Sequence, residues 1–256
     1  MAYLLLLILA VGLNLVGFGL AFWRRSDKLT DFSYGATFMV LAIITLAANQ
    51  TSKLKYFATL LISLWALRLA GFLLLRVIKN KKDRRFDGVR ENFWKFGSFW
   101  LGQGVLAWLI MLPVIFLLIN NQTANGLKAT TVAGALVAIV GLIIETIADL
   151  QKFNFNQKAK NKGHWISSGL WAYSRHPNYF GEILVWLGMY VYCLGYLSNG
   201  EVVIGLVSPV IITLMLLFVT GIPKLEKYAD QKWGGQAEYR KYKKRTSILI
   251  PLPRRG

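Results

Sequence analysis

Residues 2–22 read AYLLLLILAVGLNLVGFGLAF, a run without a single charge, and Trp23-Arg24-Arg25 follows at once. A spanning α-helix needs about 20 mostly apolar residues to cross a hydrocarbon core roughly 30 Å thick. The run meets that length. Its basic pair comes after the apolar stretch, the reverse of a signal peptide, and no small-residue cleavage site is evident. It is expected to be a retained first span.

Six more runs of this kind follow, at roughly 31–48, 54–78, 97–119, 129–149, 179–197 and 202–222. The chain has 256 residues, 55% of them hydrophobic and only 16% charged. A soluble domain carries roughly a quarter charged residues, so the shortfall implies a lipid-facing surface. The fold expected is all-α and polytopic, with about seven transmembrane helices in one transmembrane domain over 1–256. The bilayer is then its first partner.

The net charge is +18. Nucleic acid is not the expected partner, because cytoplasmic loops beside a bilayer collect Lys and Arg in the same way. The segments 23–30, 79–96, 150–178 and 223–256 hold 3, 7, 5 and 10 of the 30 Lys and Arg. The opposite loops hold 3. This places the N-terminus outside and the C-terminus in the cytoplasm. Residues 223–256 are then a cytoplasmic amphipathic tail. One reading lays this basic, Tyr-containing segment on anionic lipid; another makes it a lid over a charged cofactor.

Several chemistries find no support. There is no Walker-type loop and no Gly-x-Gly-x-x-Gly after a strand. His164 and His176 are the only histidines, so neither a Ser-His-Asp triad nor a metal-ligand spacing can be argued. Cys193 is the single cysteine, which rules out an intramolecular disulfide.

The strongest local signal is Ser174-Arg175-His176-Pro177-Asn178-Tyr179-Phe180-Gly181-Glu182 at the start of the sixth span. Pro177 suits a first helical turn. Arg175 and His176 then lie beside a helix N-terminus, which favours an anion, and Arg grips phosphate in bidentate fashion. Asn178 and Tyr179 add hydrogen bonds, and Glu182 is a carboxylate costly to hold in a span unless paired. The competing reading is an interfacial anchor, with Arg175 and His176 in head groups. In the fifth span Glu145, Asp149, Lys152 and Asn156 follow the helical repeat and form one polar stripe. Arg68 lies deep in the third span, where a carboxylate such as Glu145 or Glu182 would lower its cost. Asp31 follows Thr30 at the start of the second span, where an N-cap role is expected. Tyr34 lies one turn on, and Gln103 is a neutral polar group inside the fourth span.

These residues carry a resemblance. Gly169-Leu-Trp-Ala-Tyr-Ser-Arg-His-Pro-Asn-Tyr-Phe-Gly-Glu182 resembles the bacterial membrane proteins related to steroid 5-alpha-reductase, a domain family of unknown function. Asp31, Leu67-Arg68-Leu69, Asp83-Arg84-Arg85, Glu145-x-x-x-Asp149-x-Gln151-Lys152, and Glu226, Tyr239, Tyr242 and Ile250-Pro251 extend the likeness over nearly the whole chain. The wider group holds the NADPH-dependent sterol reductases and the isoprenylcysteine carboxyl methyltransferases, which use S-adenosylmethionine. Both bind cofactor at the cytoplasmic ends of the last helices.

By position, the resemblance implies cofactor binding by Arg175, His176, Asn178, Tyr179 and Glu182. It adds Glu145, Asp149 and Lys152 from the fifth span, and Glu226, Tyr239, Tyr242 and Arg245 from the tail. Steroid reductases hold and protonate their enone with a Glu and a Tyr in the early spans. The second span here has no Glu, and Trp65 stands near the place expected for the Tyr; Asp31 and Tyr34 are the substitutes. The resemblance implies an NADPH-dependent reductase of a lipid-soluble, steroid- or isoprenoid-like enone in a bacterial inner membrane. Two alternatives stand beside it: an S-adenosylmethionine-dependent methyltransferase of lipid or prenylated substrates, and a lipid-binding protein that keeps the fold without turnover. The oligomeric state is left open.

Overall fold

A computed structural model describes residues 1–26, 29–80, 88–120 and 126–254; within these, the side chains of Asp31 and of 73–80 fall outside the description. The Asp83-Arg84-Arg85 cluster therefore lies outside the described residues. All seven apolar runs are helical. In chain order the helices are α1 (Ala2–Trp23), α2 (Thr30–Ala47), α3 (Lys53–Asn80), α4 (Phe93–Ile119), α5 (Ala129–Gln157) and α6 (Pro177–Leu194). They continue with α7 (Asn199–Gly205), α8 (Val207–Leu214), α9 (Ile222–Trp233) and α10 (Ala237–Arg245).

Five helical stretches are long and apolar enough to cross a membrane: Ala2–Trp23, Lys53–Phe72, Phe93–Ile119, Ala129–Gln157 and Asn199–Trp233. The apolar part of α2 is shorter, Phe32–Ala47. The 18 residues of α6 open on polar turns. No multi-residue strand occurs among the described residues. The protein is an all-α, polytopic integral membrane protein. Helix α1 shows why such a chain needs lipid: Leu4, Leu5, Ile8, Val16 and Leu20 are exposed along it, a face that water would penalise.

The chain forms two compact units, Met1–Lys128 with Cys193–Ser208, and Ala129–Tyr192 with Pro209–Gly256. In the first, α1 to α4 pack around Phe38, Ile62, Trp65, Trp100 and Ile110. A polar network runs through this interior. Asn14 is fully buried and donates to the Ala10 carbonyl at 2.8 Å and to Thr37 Oγ1 at 3.0 Å. Gln103 donates to Asn14 Oδ1 at 2.8 Å and to the Thr30 carbonyl at 3.1 Å. The polar group expected inside the fourth span thus bonds across helices, so its burial costs little.

The start of α2 differs from the expectation. Leu29 is the N-cap, with the backbone already helical there (φ −89°, ψ −11°). Asp31 therefore falls inside the first turn rather than at the cap. Tyr34 packs edge-on against Phe38, whose ring meets Trp65 at 5.1 Å and 82°.

In the second unit a seam of small residues joins α5 to α6. A Cβ at Gly141 would stand 2.6 Å from the Gly181 carbonyl oxygen, and one at Gly181 would stand 2.6 Å from the Glu145 nitrogen. Gly134 meets Tyr192 and Gly188 meets Ala138 just as closely. Small residues let two helix backbones approach and gain dispersion contact where no hydrophobic drive operates. After α8 the chain makes a π-turn over Met215–Val219, closed by Thr220 N donating to the Met215 carbonyl at 2.8 Å. Gly221 then passes so close to the Tyr179 ring that a Cβ would stand 2.9 Å from it. Pro223 fits the first turn of α9, where its missing N–H does no harm. This break steers α9 toward the start of α6.

Candidate functional site

The start of α6 is held from outside the helix. Ser174 is fully buried; its hydroxyl donates to the Leu249 carbonyl at 2.6 Å and accepts from His176 N at 3.1 Å. Arg175 N donates to the Ser247 carbonyl at 2.8 Å, and Leu252 N to the Tyr173 carbonyl at 3.1 Å. The Tyr242 phenol donates to the Trp171 carbonyl at 2.9 Å. Arg254 adds hydrogen bonds to the carbonyls of Ala172 and Ser167, at 3.1 and 2.7 Å. Residues 247–254 thus lie as a strap along 167–175 and fix the backbone that presents Arg175 and His176.

Those two side chains meet Glu226 of α9. Arg175 Nη1 donates to Glu226 Oε2 at 2.5 Å, and His176 Nε2 lies 2.9 Å from Oε1. Lys243 bridges Glu226 and Asp230, at 3.2 and 2.6 Å. Two cations and two carboxylates balance in this cluster. The side chains of Arg175 and Glu226 are only 13% and 16% exposed, so their attraction is little screened.

A carboxylate only accepts hydrogen bonds, which places the imidazole hydrogen on His176 Nε2. Burial lowers the His176 pKa, and the charges of Lys152 and Arg175 push the same way against the pull of Glu226. The ring is therefore neutral, and Nδ1 is left as an acceptor. Among the described residues Nδ1 is buried without a partner, and so is Arg175 Nε. The imidazole stacks on Tyr179 at 5.7 Å between centroids, tilted by 12°.

The fifth-span stripe sits on one continuous helix, as its spacing predicts. Glu145 and Asp149 are buried, and Asn178 donates to Asp149 Oδ1 at 3.2 Å. Lys152 Nζ stands 4.4 Å over the Trp171 ring, whose indole N–H donates to the Ala148 carbonyl at 3.0 Å. Tyr239 is buried and donates to Asp230 at 3.3 Å. Burial first, then the Asp230 and Glu226 charges, push its pKa up to about 12. Burial likewise raises that of Tyr242. Both phenols therefore keep their protons and act as donors.

Arg175, His176, Asn178, Tyr179, Glu182, Glu145, Asp149, Lys152, Glu226, Tyr239, Tyr242 and Arg245 all belong to the second unit. The exposed Arg245 stands apart from the ion cluster. It lines a cavity of about 470 Å³ with Trp165, Lys241, Tyr242, Thr246 and Arg254. Asp31, Tyr34 and Arg68 belong to the first unit. Ser174 and Trp171 stand in the quoted segments but carried no role from sequence, and Asp230, Lys243 and Arg254 were not singled out. Asp230 and Lys243 had a signal, since each follows Glu226 or Tyr239 by four residues on a helix. The strap had none.

No curated protein and no solved structure matches the chain. A family model described as "Protein of unknown function (DUF1295)" matches residues 17–246. With nearly its whole length matched, the chain belongs to the DUF1295 family.

Proposed function

We propose that this membrane protein is an NADPH-dependent reductase of a lipid-soluble enone, with its cofactor site facing the cytoplasm of a bacterial cell. The observation that carries the reading is the pair of buried, partnerless atoms at the start of α6: Arg175 Nε, a donor, and His176 Nδ1, an acceptor. Native proteins rarely leave such atoms orphaned. A ligand offering both an acceptor anion and a donor satisfies them together. Phosphate oxygens suit the guanidinium, and a ribose hydroxyl or an amide suits the imidazole. The residues present therefore fit the cofactor.

When bound, NADPH would supply a hydride for the β-carbon of the enone, and the resulting enolate would need a proton from an acid. The chain's own groups do the rest. Arg175 binds, while Glu226 holds its guanidinium in one orientation. His176 stays neutral and accepts a hydrogen bond at Nδ1. Tyr242 and the strap hold the backbone that presents both side chains. Tyr34 is the proposed proton donor, because a phenol can hydrogen-bond a carbonyl oxygen and give up its proton, and Asp31 is proposed to support it.

The methyltransferase alternative has less behind it. S-adenosylmethionine is cationic at sulfur and carries no phosphate, so it gains little from Lys241, Arg245 and Arg254 on the same unit. Isothermal titration of the purified protein separates the two. Saturable NADPH binding with none for S-adenosylmethionine is expected. Tight S-adenosylmethionine binding with none for NADPH sinks the reductase reading.

A further inference from the structure

The cavity beside α10 has a character the ion cluster lacks. Three cations line it, Lys241, Arg245 and Arg254, against one carboxylate, Glu238. None of the three is ion-paired among the described residues. Arg254 is held by two backbone carbonyls, which orient it without cancelling its charge. Trp165 is fixed edge-on against Tyr239, with centroids 5.2 Å apart at 78°, and it also meets Tyr242 and Trp233. Two lining residues carry an orphaned polar atom: the Trp165 indole nitrogen and the Thr246 hydroxyl are buried with no partner among the described residues. Both atoms are buried, so engaging them needs a slight opening of the cavity.

We infer that this cavity is a binding site for a phosphate group carried next to a planar or apolar moiety. The cations neutralise the phosphate, Arg245 and Arg254 with the planar fork that suits it. Trp165 and Tyr242 provide the aromatic wall, and the indole N–H and Thr246 hydroxyl are spare bonds for its oxygens. A volume of about 470 Å³ is within the range of small-molecule sites. Two sources share this chemistry, a soluble nucleotide and an anionic lipid head group. If the ligand is a nucleotide, the inference deepens the reductase reading and rests on it, giving Lys241, Arg245 and Arg254 a further phosphate of the cofactor beyond the one at Arg175.

The test uses the full chain, wild type and a Lys241→Gln/Arg245→Gln double variant. Both positions are exposed, so the variant is expected to fold, and its elution profile and melting temperature check this. In the first arm, adenosine monophosphate and adenosine are titrated into detergent-purified protein. In the second, protein extracted from phosphatidylglycerol or phosphatidylcholine vesicles is weighed by native mass spectrometry to count retained lipid. A nucleotide site gives adenosine monophosphate binding that falls about ten- to a hundredfold in the variant and is far weaker for adenosine. A lipid site gives retained phosphatidylglycerol that the variant loses, with no nucleotide binding. Either outcome supports a phosphate site. Ligand binding and lipid retention that are equal in the two proteins, or absent from both, overturn it. NADPH titrated in parallel keeps the two readings apart. Nucleotide or lipid binding without NADPH binding sinks the reductase and leaves the cavity site standing. NADPH binding unchanged in the variant, with neither other ligand held, does the reverse.

Discussion

Two groups of cations lie in the same unit, and they are handled in opposite ways. Arg175 and Lys243 are tied to Glu226 and Asp230 at distances of 2.5 to 3.2 Å. Lys241, Arg245 and Arg254 face a cavity, without an ionic partner among the described residues. The contrast separates two jobs that a count of basic residues merges. Charge that is buried must be matched to persist, so the first group can hold geometry but has little net attraction to offer an anion. Charge at an open wall stays hydrated and need not be matched, so the second group supplies attraction. A site built from both gives a ligand orientation at one end and charge neutralisation at the other.

The largest expected effect breaks the first group. Glu226→Ala leaves Arg175 buried and unmatched and removes the acceptor of His176 Nε2. Breaking a buried pair from one side costs about 3–5 kcal/mol. Thermal unfolding in detergent should show a large fall in the melting temperature. Lys241→Ala, at the open cavity, should stay within about 0.5 kcal/mol of wild type. Similar losses for the two would erase the distinction between the groups.

A second comparison sharpens how the first group is positioned. Gly181 brings α6 onto α5 at Glu145, whereas a Cβ at Gly102 of α4 would meet nothing within 4 Å. Gly181→Ala forces the seam apart and should cost about 1–3 kcal/mol, as overpacking does. Gly102→Ala should be neutral or stabilising by up to about 1 kcal/mol, the helix-propensity gain. Denaturant or thermal titration of both variants checks this, and a stabilised Gly181→Ala would contradict the seam.

The smallest effect is a response to pH. His176 has a lowered pKa in the folded protein, chiefly from burial. Above the unfolded value of about 6.5 both states are neutral, and stability does not depend on this group. As pH falls through 6.5 the unfolded chain takes the proton first, so stability declines until pH reaches the folded pKa. His176→Asn should flatten that part of the curve of melting temperature against pH. An unchanged slope would mean the ring is not held neutral.

How much of this was legible in the chain varies with range. The apolar helices are legible because lipid demands about 20 apolar residues in a row, and runs such as 2–22 and 97–119 meet that demand as helices long and apolar enough to cross a membrane. The sharp stop of the last span at 222 is readable in Gly221-Ile222-Pro223. The division of that span into α7 and α8 is not, since no proline or charge separates Gly205 from Val207. In the site, the stripe of Glu145, Asp149 and Lys152 follows from helical spacing. The helix start at Pro177 follows from local turn chemistry. What cannot be read is what arrives from far away. Glu226 meets Arg175 across 51 positions, and the strap meets Ser174 across 75. A basic, Tyr-containing tail reads equally well as a lipid-surface helix or a lid. Only its hydrogen bonds to 171–175 reveal that it braces the start of α6.

The central claim is that Arg175 is held by Glu226 in order to grip a cofactor phosphate. The direct measurement is NADPH affinity by isothermal titration for wild type, Arg175→Ala and Arg175→Lys, with melting temperature as the folding control. A charge-assisted contact is worth roughly 1.5–3 kcal/mol, so Arg175→Ala should weaken binding about ten- to a hundredfold. Arg175→Lys should recover only part of it, because an ammonium lacks the planar fork. Equal affinity in all three folded proteins would contradict the account and leave Arg175 as a structural brace for α9.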